Sequence, residues 1–334
     1  LLAALSLLVA MAVVIAFAGT AMAKTVDRLA DRTGLGEALS GVLLLAAATS
    51  VPDFAATLSA SLDGRPVLAI SNVTGSMAAN LVFLVIADAF YRKANLEHAA
   101  ASGAILMQAA LFIALLSLPL IAATTPAVSL WGMHPVTPII VVAYVFGLRL
   151  VHGAQETPMW LPRETPQTAD DEPDKANRHL SLRKLWVQFA LLTAVTGVAG
   201  WLIMEAAKSL TDLTGLDEDI AGGLLTAVAT SLPELVTTVA AVRHGALTLA
   251  VSNIFGTNAF NVVVVAVADG SFREGSIYHA ISPSQIAWGV IVILMTAVLL
   301  LGLISRQKFG IGRIGFESVL VLILYGLGLT LLAI

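Results

Sequence analysis

Charge interrupts this chain so rarely that the length of its apolar runs decides what it can become. Ten stretches of about 17 to 25 predominantly apolar residues, enough for a helix to cross a bilayer, fall near 1–22, 36–62, 66–91, 99–123, 134–152, 184–207, 219–242, 246–269, 283–304 and 314–333. Hydrophobic residues make up 58% of the 334 positions and charged residues 12%, far from the balance of a soluble domain. The expectation is an all-α integral membrane protein of about ten transmembrane helices. Pro126, Pro135 and Pro138 crowd the start of the fifth run, the least regular of the ten. The first run ends TAMAK, an A-x-A pattern that would suit a cleaved signal over residues 1–23, but its length and the lack of a basic n-region favour a span.

The remaining charges are sorted by face. With ten spans and both termini on one side, fifteen of the 18 Lys and Arg gather on the opposite side, leaving Arg65, Lys208 and Arg273. The positive-inside rule then puts both termini outside and loop 153–183 in the cytoplasm, in a plasma (inner) membrane. That loop is polar and Pro-rich, and it divides an N-terminal half, 1–152, from a C-terminal half, 184–334. A net charge of −4 argues against nucleic acid as a partner, and the absence of cysteine removes thiolate metal ligands.

The halves are related. ATSVPDF at 48–54 returns as ATSLPEL at 229–235, and SNVTGSMAAN at 71–80 returns as SNIFGTNAFN at 252–261, both at an offset of 181. Between 33–91 and 214–272, 25 of 59 positions are identical without a gap. The copies begin five spans apart, an odd number, so they would cross the membrane in opposite directions. Two inverted five-helix repeats are an architecture of secondary transporters, with the substrate site near the midplane where interrupted helices meet.

Each copy carries the same chemistry. Pro52 has no N–H and displaces the carbonyl of Ala48, loosening the turn around Thr49, and Pro233 does the same to Ala229 and Thr230. A bare carbonyl in a bilayer costs several kcal/mol unless something such as a cation satisfies it. One residue on stands a carboxylate, Asp53 or Glu234, with Ser50 or Ser231 three residues earlier on the same helix face. In the following span Ser76 and Asn80, or Thr257 and Asn261, share a face four residues apart. The sum is two carboxylates, two amides, four hydroxyls and freed carbonyls, an all-oxygen set suited to a hard cation such as Ca²⁺.

Taken singly, most of these features have a plain structural use. A proline kinks a helix, Ser or Thr bonds back one turn, Asn72 and Asn253 can tie helices, and Gly75 and Gly256 can let them approach. A carboxylate at mid-helix has no such use and costs about 2.5–3.5 kcal/mol. Asp88 and Asp269, matched near span ends, are expected at the membrane interface. His98, His134, His152, His179, His244 and His279 lie at span ends, in loops or beside proline, and are expected on the surface.

At these residues the chain resembles the calcium/cation antiporter superfamily of sodium/calcium and proton/calcium exchangers. Its paired repeats carry a G-T-S-x-P-E type motif followed by G-N-x-x-G-S-N-x-x-N/D. Thr49, Ser50, Pro52, Asp53, Asn72, Gly75, Ser76 and Asn80 match in the first copy; Thr230, Ser231, Pro233, Glu234, Asn253, Gly256, Thr257, Asn258 and Asn261 match in the second. The resemblance implies exchange of Ca²⁺ for Na⁺ or H⁺ by alternating access, without a cofactor. Asp53 and Glu234 would hold Ca²⁺. Ser50, Ser76, Ser231 and Thr257 would flank them in Na⁺ sites, with backbone oxygens near Thr49 and Thr230 and those of Ala46 and Ala227. Spans 1–22 and 184–207 would slide across this core. The sequence departs from the pattern at Asp53, where Glu is usual, at Met77, where the motif has Asn, and at Asn261, where many sodium/calcium exchangers have Asp, and these departures leave the driving ion open. A channel could use the same oxygens as a selectivity filter. An intramembrane enzyme has less support, since H-E-x-x-H and G-x-S-x-G are absent.

Overall fold

The computed structural model describes residues 1–33, 44–91, 93–100, 102–130, 132–165, 181–308, 310 and 315–332. The first half contains α1 (Leu2–Thr33), α2 (Ala46–Thr49), α3 (Val51–Leu62), α4 (Pro66–Phe90), α5 (Leu96–Ala99), α6 (Gly103–Thr124) and α7 (Val136–Glu156). The second contains α8 (Leu182–Thr214), α9 (Glu218–Thr230), α10 (Leu232–His244), α11 (Leu247–Ser271), α12 (Pro283–Ser305) and α13 (Phe316–Leu332). Among the described residues seven helices are long and apolar enough to cross a membrane, or eight if α9 and α10, bent by 41°, form one span. The chain is therefore a helical integral membrane protein. α13 is a shorter apolar helix, and the run expected at 36–62 is described from residue 44 onward, as a π-turn at 44–45 followed by α2 and α3. Residues 166–180 of the expected linker lie outside the described residues.

Two helices overrun their expected ends. The apolar runs stop near residues 22 and 207, yet α1 continues to Thr33 and α8 to Thr214. Charges such as Lys24 and Arg28 end an apolar run without ending a helix, because a helix leaving the membrane can carry them into water. α8 stops where Gly215 takes φ +67, the left-handed conformation that closes a helix C-terminus.

Polarity decides which helices go inside. α4 and α11 carry the asparagines and hydroxyls of the repeated motifs, and 78% and 83% of their most apolar windows are buried. The corresponding values for α1 and α8 are 22% and 28%, which puts these two at the periphery, packed on one another. Lipid cannot satisfy an amide, so a helix holding one is driven to the centre.

The halves touch reciprocally. α1 crosses α10 of the second half, and α8 crosses α3 of the first. At the crossings Gly19 faces Pro233 and Gly200 faces Pro52, and each pair of equivalents is again 181 residues apart. A contact from i to j mirrored by one from j′ to i′ is what a two-fold relation produces. Asp88 Oδ1 accepts the Leu96 N–H at 2.6 Å and Asp269 Oδ1 accepts the Ile277 N–H at 2.9 Å, so the duplication extends into the short helical turns at Leu96–Ala99 and Ile277–His279. Both aspartates are buried, each clamping the loop that follows its helix. Lys208, which is 7% exposed, reaches Asp63, Glu205 and Ser59, and Arg65 pairs with Asp212, so α8 is tied to the α3–α4 turn.

Candidate cation site

Proline interrupts each repeat within the turn around Thr49 or Thr230. The break falls on the serine two residues earlier: Ser50 takes φ −75, ψ −7 between α2 and α3, and Ser231 takes φ −88, ψ 6 between α9 and α10. π-helical turns precede both breaks, at residues 44–45 and Ala221–Thr226. Such turns widen a helix locally and recur at functional sites.

Thr49, Ser50, Asp53, Ser76, Asn80, Thr230, Ser231, Glu234, Thr257 and Asn261 are all fully buried. Contacts across the repeats join most of them. Ser76 Oγ donates to Asp53 Oδ1 at 2.8 Å, the Thr230 hydroxyl reaches the same oxygen, and Asn261 Nδ2 donates to Oδ2 at 3.0 Å. Thr49 and Thr257 pair through their hydroxyls at 3.3 Å. Glu234 lies close enough for the Asp53 charge to act on it. The Thr49 hydroxyl faces Glu234 without closing a hydrogen bond, and neither Glu234 oxygen accepts one from the protein. Buried acceptors without donors are rare and call for a physical reason. Ser231 Oγ and the Oδ1 atoms of Asn80 and Asn261 are in the same condition.

Some residues do plain structural work. Ser50 Oγ donates back to Ala46 O at 2.7 Å, and Ala227 O receives Ser231 N–H at 3.0 Å, so both of these carbonyls already have protein donors. Asn72 Nδ2 bonds Thr57 Oγ1 at 3.1 Å, and Asn253 Nδ2 bonds Thr237 Oγ1 at 3.1 Å, fastening each motif helix to its proline helix. A Cβ on Gly75 would stand 2.7 Å from the Gly223 Cα of the π-turn, so only glycine lets α4 approach the second repeat there. Gly256, Pro52 and Pro233 are buried in the equivalent framework.

Sequence reasoning left Gly19, Gly200 and Asn258 outside the candidate site. The Ala-Gly pair shared by 18–19 and 199–200 at the same offset was the available signal for the first two. The surface expectation fails for two histidines. His98 is 7% exposed, with Nδ1 2.7 Å from Arg306 O, and His134 is 4% exposed against Tyr278, because the loops fold back over the helix ends. His152 and His244 are exposed, His279 is half-buried, and His179 lies outside the described residues.

A second group of carboxyls sits at the α4–α5 loop. Glu97 is buried, and burial, aided by the charges of Asp88 and Glu317, holds it well above the usual carboxylate range. The folded state therefore binds more protons than the unfolded chain above the ordinary glutamate pKa, and stability falls as pH rises through that window. Glu97→Gln is expected to raise the thermal midpoint at pH 8 and flatten its pH dependence. A midpoint equal to wild type across pH 5–8 would contradict this.

Duplicated helical units that bring two carboxylates and their oxygen-bearing neighbours into one buried cluster define a membrane protein of the ion-transport class. The chain belongs to the family described as sodium/calcium exchanger protein, whose profile matches residues 3–150 and 184–333. It is 24% identical over 275 residues to the sodium/calcium exchanger MaX1 of Methanosarcina acetivorans, covering 76% of this chain and 79% of that protein. It is 37% identical over 93 residues to the inner membrane protein YrbG of Escherichia coli K12, a match spanning 28% of each chain. Its fold is similar to that of the sodium-calcium exchanger NCX_Mj, with a TM-score of 0.68, 17% identity and 98% of both chains covered.

Proposed function

We propose that this protein is a secondary antiporter that exchanges Ca²⁺ for Na⁺ by alternating access, with both ions competing for the oxygens around Asp53 and Glu234. The observation that carries this reading is the meeting of those two carboxylates, one from each repeat, in a fully buried oxygen cluster. In this reading ten spans form two inverted repeats, α1 and α8 slide over the core, both termini lie outside and loop 153–183 is cytoplasmic. The name of MaX1 supports sodium as the counter-ion, and that of YrbG supports the inner membrane.

Energetics set the coupling. Expelling Ca²⁺ against a gradient of about 10⁴ and a potential of about 100 mV requires about 10 kcal/mol. Each Na⁺ entering down a tenfold gradient supplies about 3.7 kcal/mol, so three are needed. Two carboxylates balance only two of them, and the third would rest on neutral oxygens such as Ser231 and Asn261.

A specific observation favours protons as the second reading. Glu234 accepts no hydrogen bond from the protein, so a proton could neutralise it without displacing a donor, whereas Asp53 already has three. An antiporter is separated from a channel by loading proteoliposomes with ²²Na⁺ and adding external Ca²⁺. Exchange predicts Na⁺ release that follows Ca²⁺ entry. Ca²⁺ entry that persists with no exchangeable ion inside would contradict it.

A further inference from the structure

Among the positions without a candidate ligand at which the two copies of the motif differ, one exchanges an apolar side chain for an amide: Met77 stands where the second copy has Asn258. Hydrogen bonding fixes how the Asn258 amide points. Its Nδ2 donates to the Met77 carbonyl oxygen at 3.0 Å, and a carbonyl can only accept, so Oδ1 must face the other way. That Oδ1 accepts Asn80 Nδ2 at 2.9 Å. Asn80 is thereby oriented too, with its own Oδ1 buried and free of donors.

No side-chain amide stands at Met77 to do the same for Asn261. Asn261 Nδ2 therefore goes to Asp53 Oδ2 at 3.0 Å. The equivalent bond, Asn80 Nδ2 to Glu234, is not formed; one of the two Asn80 amide N–H groups goes to Asn258 Oδ1 instead. The same inequality extends to the hydroxyls: Ser76 and Thr230 donate to Asp53, while their equivalents Thr257 and Thr49 pair with one another.

We propose, on the reading that this cluster is the cation site, that the Met77/Asn258 difference polarises it. Asn258 is a positioning residue. By accepting one Asn80 N–H it turns the amide nitrogen of Asn80 toward itself and away from Glu234, so the Glu234 carboxylate and the Asn80 carbonyl face the cation as open acceptors, while protein donors hold the charge of Asp53. Specificity at the site is then set mainly from the Glu234 side, although the repeats look nearly equivalent in sequence.

The test is Ca²⁺ binding by the purified full chain, titrated in Na⁺-free buffer at one pH. Asn258→Met releases the Asn80 amide to turn its nitrogen toward Glu234 and is expected to weaken binding about tenfold, with Asn258→Ala as a smaller replacement should the first not fold. The double variant Met77→Asn/Asn258→Met transposes the asymmetry and is expected to bind within about threefold of wild type. In that background Asp53→Asn should weaken binding more than Glu234→Gln, the reverse of their order in the wild-type chain. Wild-type affinity in both Asn258 single variants, or an equal loss in the single and the double variants, would overturn the proposal by reducing Asn258 to packing. Wild-type protein that binds no Ca²⁺ would overturn the site reading itself.

Discussion

Asp53→Ala and Glu234→Ala are each expected to lower Ca²⁺ uptake by the reconstituted protein at least about a hundredfold, equivalent to nearly 3 kcal/mol of lost cation binding. Their effects on stability should differ. Asp53 is the shared acceptor for Ser76, Thr230 and Asn261; on its removal the Thr230 and Ser76 hydroxyls keep the Thr226 and Ala227 carbonyls in reach, but the buried Asn261 amide loses its acceptor, at about 1–3 kcal/mol of folding stability. Glu234 accepts nothing from the protein, and a buried carboxyl without donors is a burden to the fold, so Glu234→Ala should melt at or above the wild-type temperature. Loss of function with gain of stability is the mark of a residue kept for its chemistry. Near-normal uptake in either variant would remove that residue from the site, and a Glu234→Ala protein that melts well below wild type would assign it a structural role.

Gly200→Val is expected to abolish exchange as well, for a steric reason. A Cβ at Gly200 would collide with the Pro52 backbone, and one at Gly19 would stand 2.8 Å from Pro233 Cα. Backbone at a proline cannot rotate away as a side chain can, and overpacking of this kind costs about 1–3 kcal/mol. Both glycines lie where the outer helices cross the proline helices, so a spacer there separates the elements that move past one another in the proposed transport cycle. Gly197 provides the control: its added Cβ would meet only the Val51 side chain, at 2.8 Å, and Gly197→Ala should retain most of the activity. Gly200→Val with full uptake would show that the α8–α3 crossing is not held close during transport.

Much of this was legible in the sequence because two signals were strong. Apolar run length marked the membrane helices, and the offset of 181 marked the candidate site residues in pairs. Periodicity and identity report on residues, however, not on backbone geometry. The sequence places a loosened turn around Thr49 and Thr230, and only the backbone torsions locate its break on the next residue, at Ser50 and Ser231. Asp88 and Asp269 read from the sequence only as residues near helix ends; that each is buried and clamps a folded-back loop through a backbone N–H depends on the loop's path, which periodicity does not report. Asn258 matches the motif and its counterpart Met77 departs from it, but the sequence alone gives that difference no use. Its use depends on which atom faces which neighbour, and only the three-dimensional contacts with Met77 and Asn80 determine that.

The most direct measurement is ⁴⁵Ca²⁺ uptake into proteoliposomes of the purified protein, driven in parallel by an outward Na⁺ gradient and by an outward proton gradient at matched membrane potential. The account predicts uptake that requires the Na⁺ gradient and is absent from Glu234→Ala vesicles. Uptake driven only by protons would replace the counter-ion while keeping the site, and equal uptake with neither gradient would contradict exchange altogether.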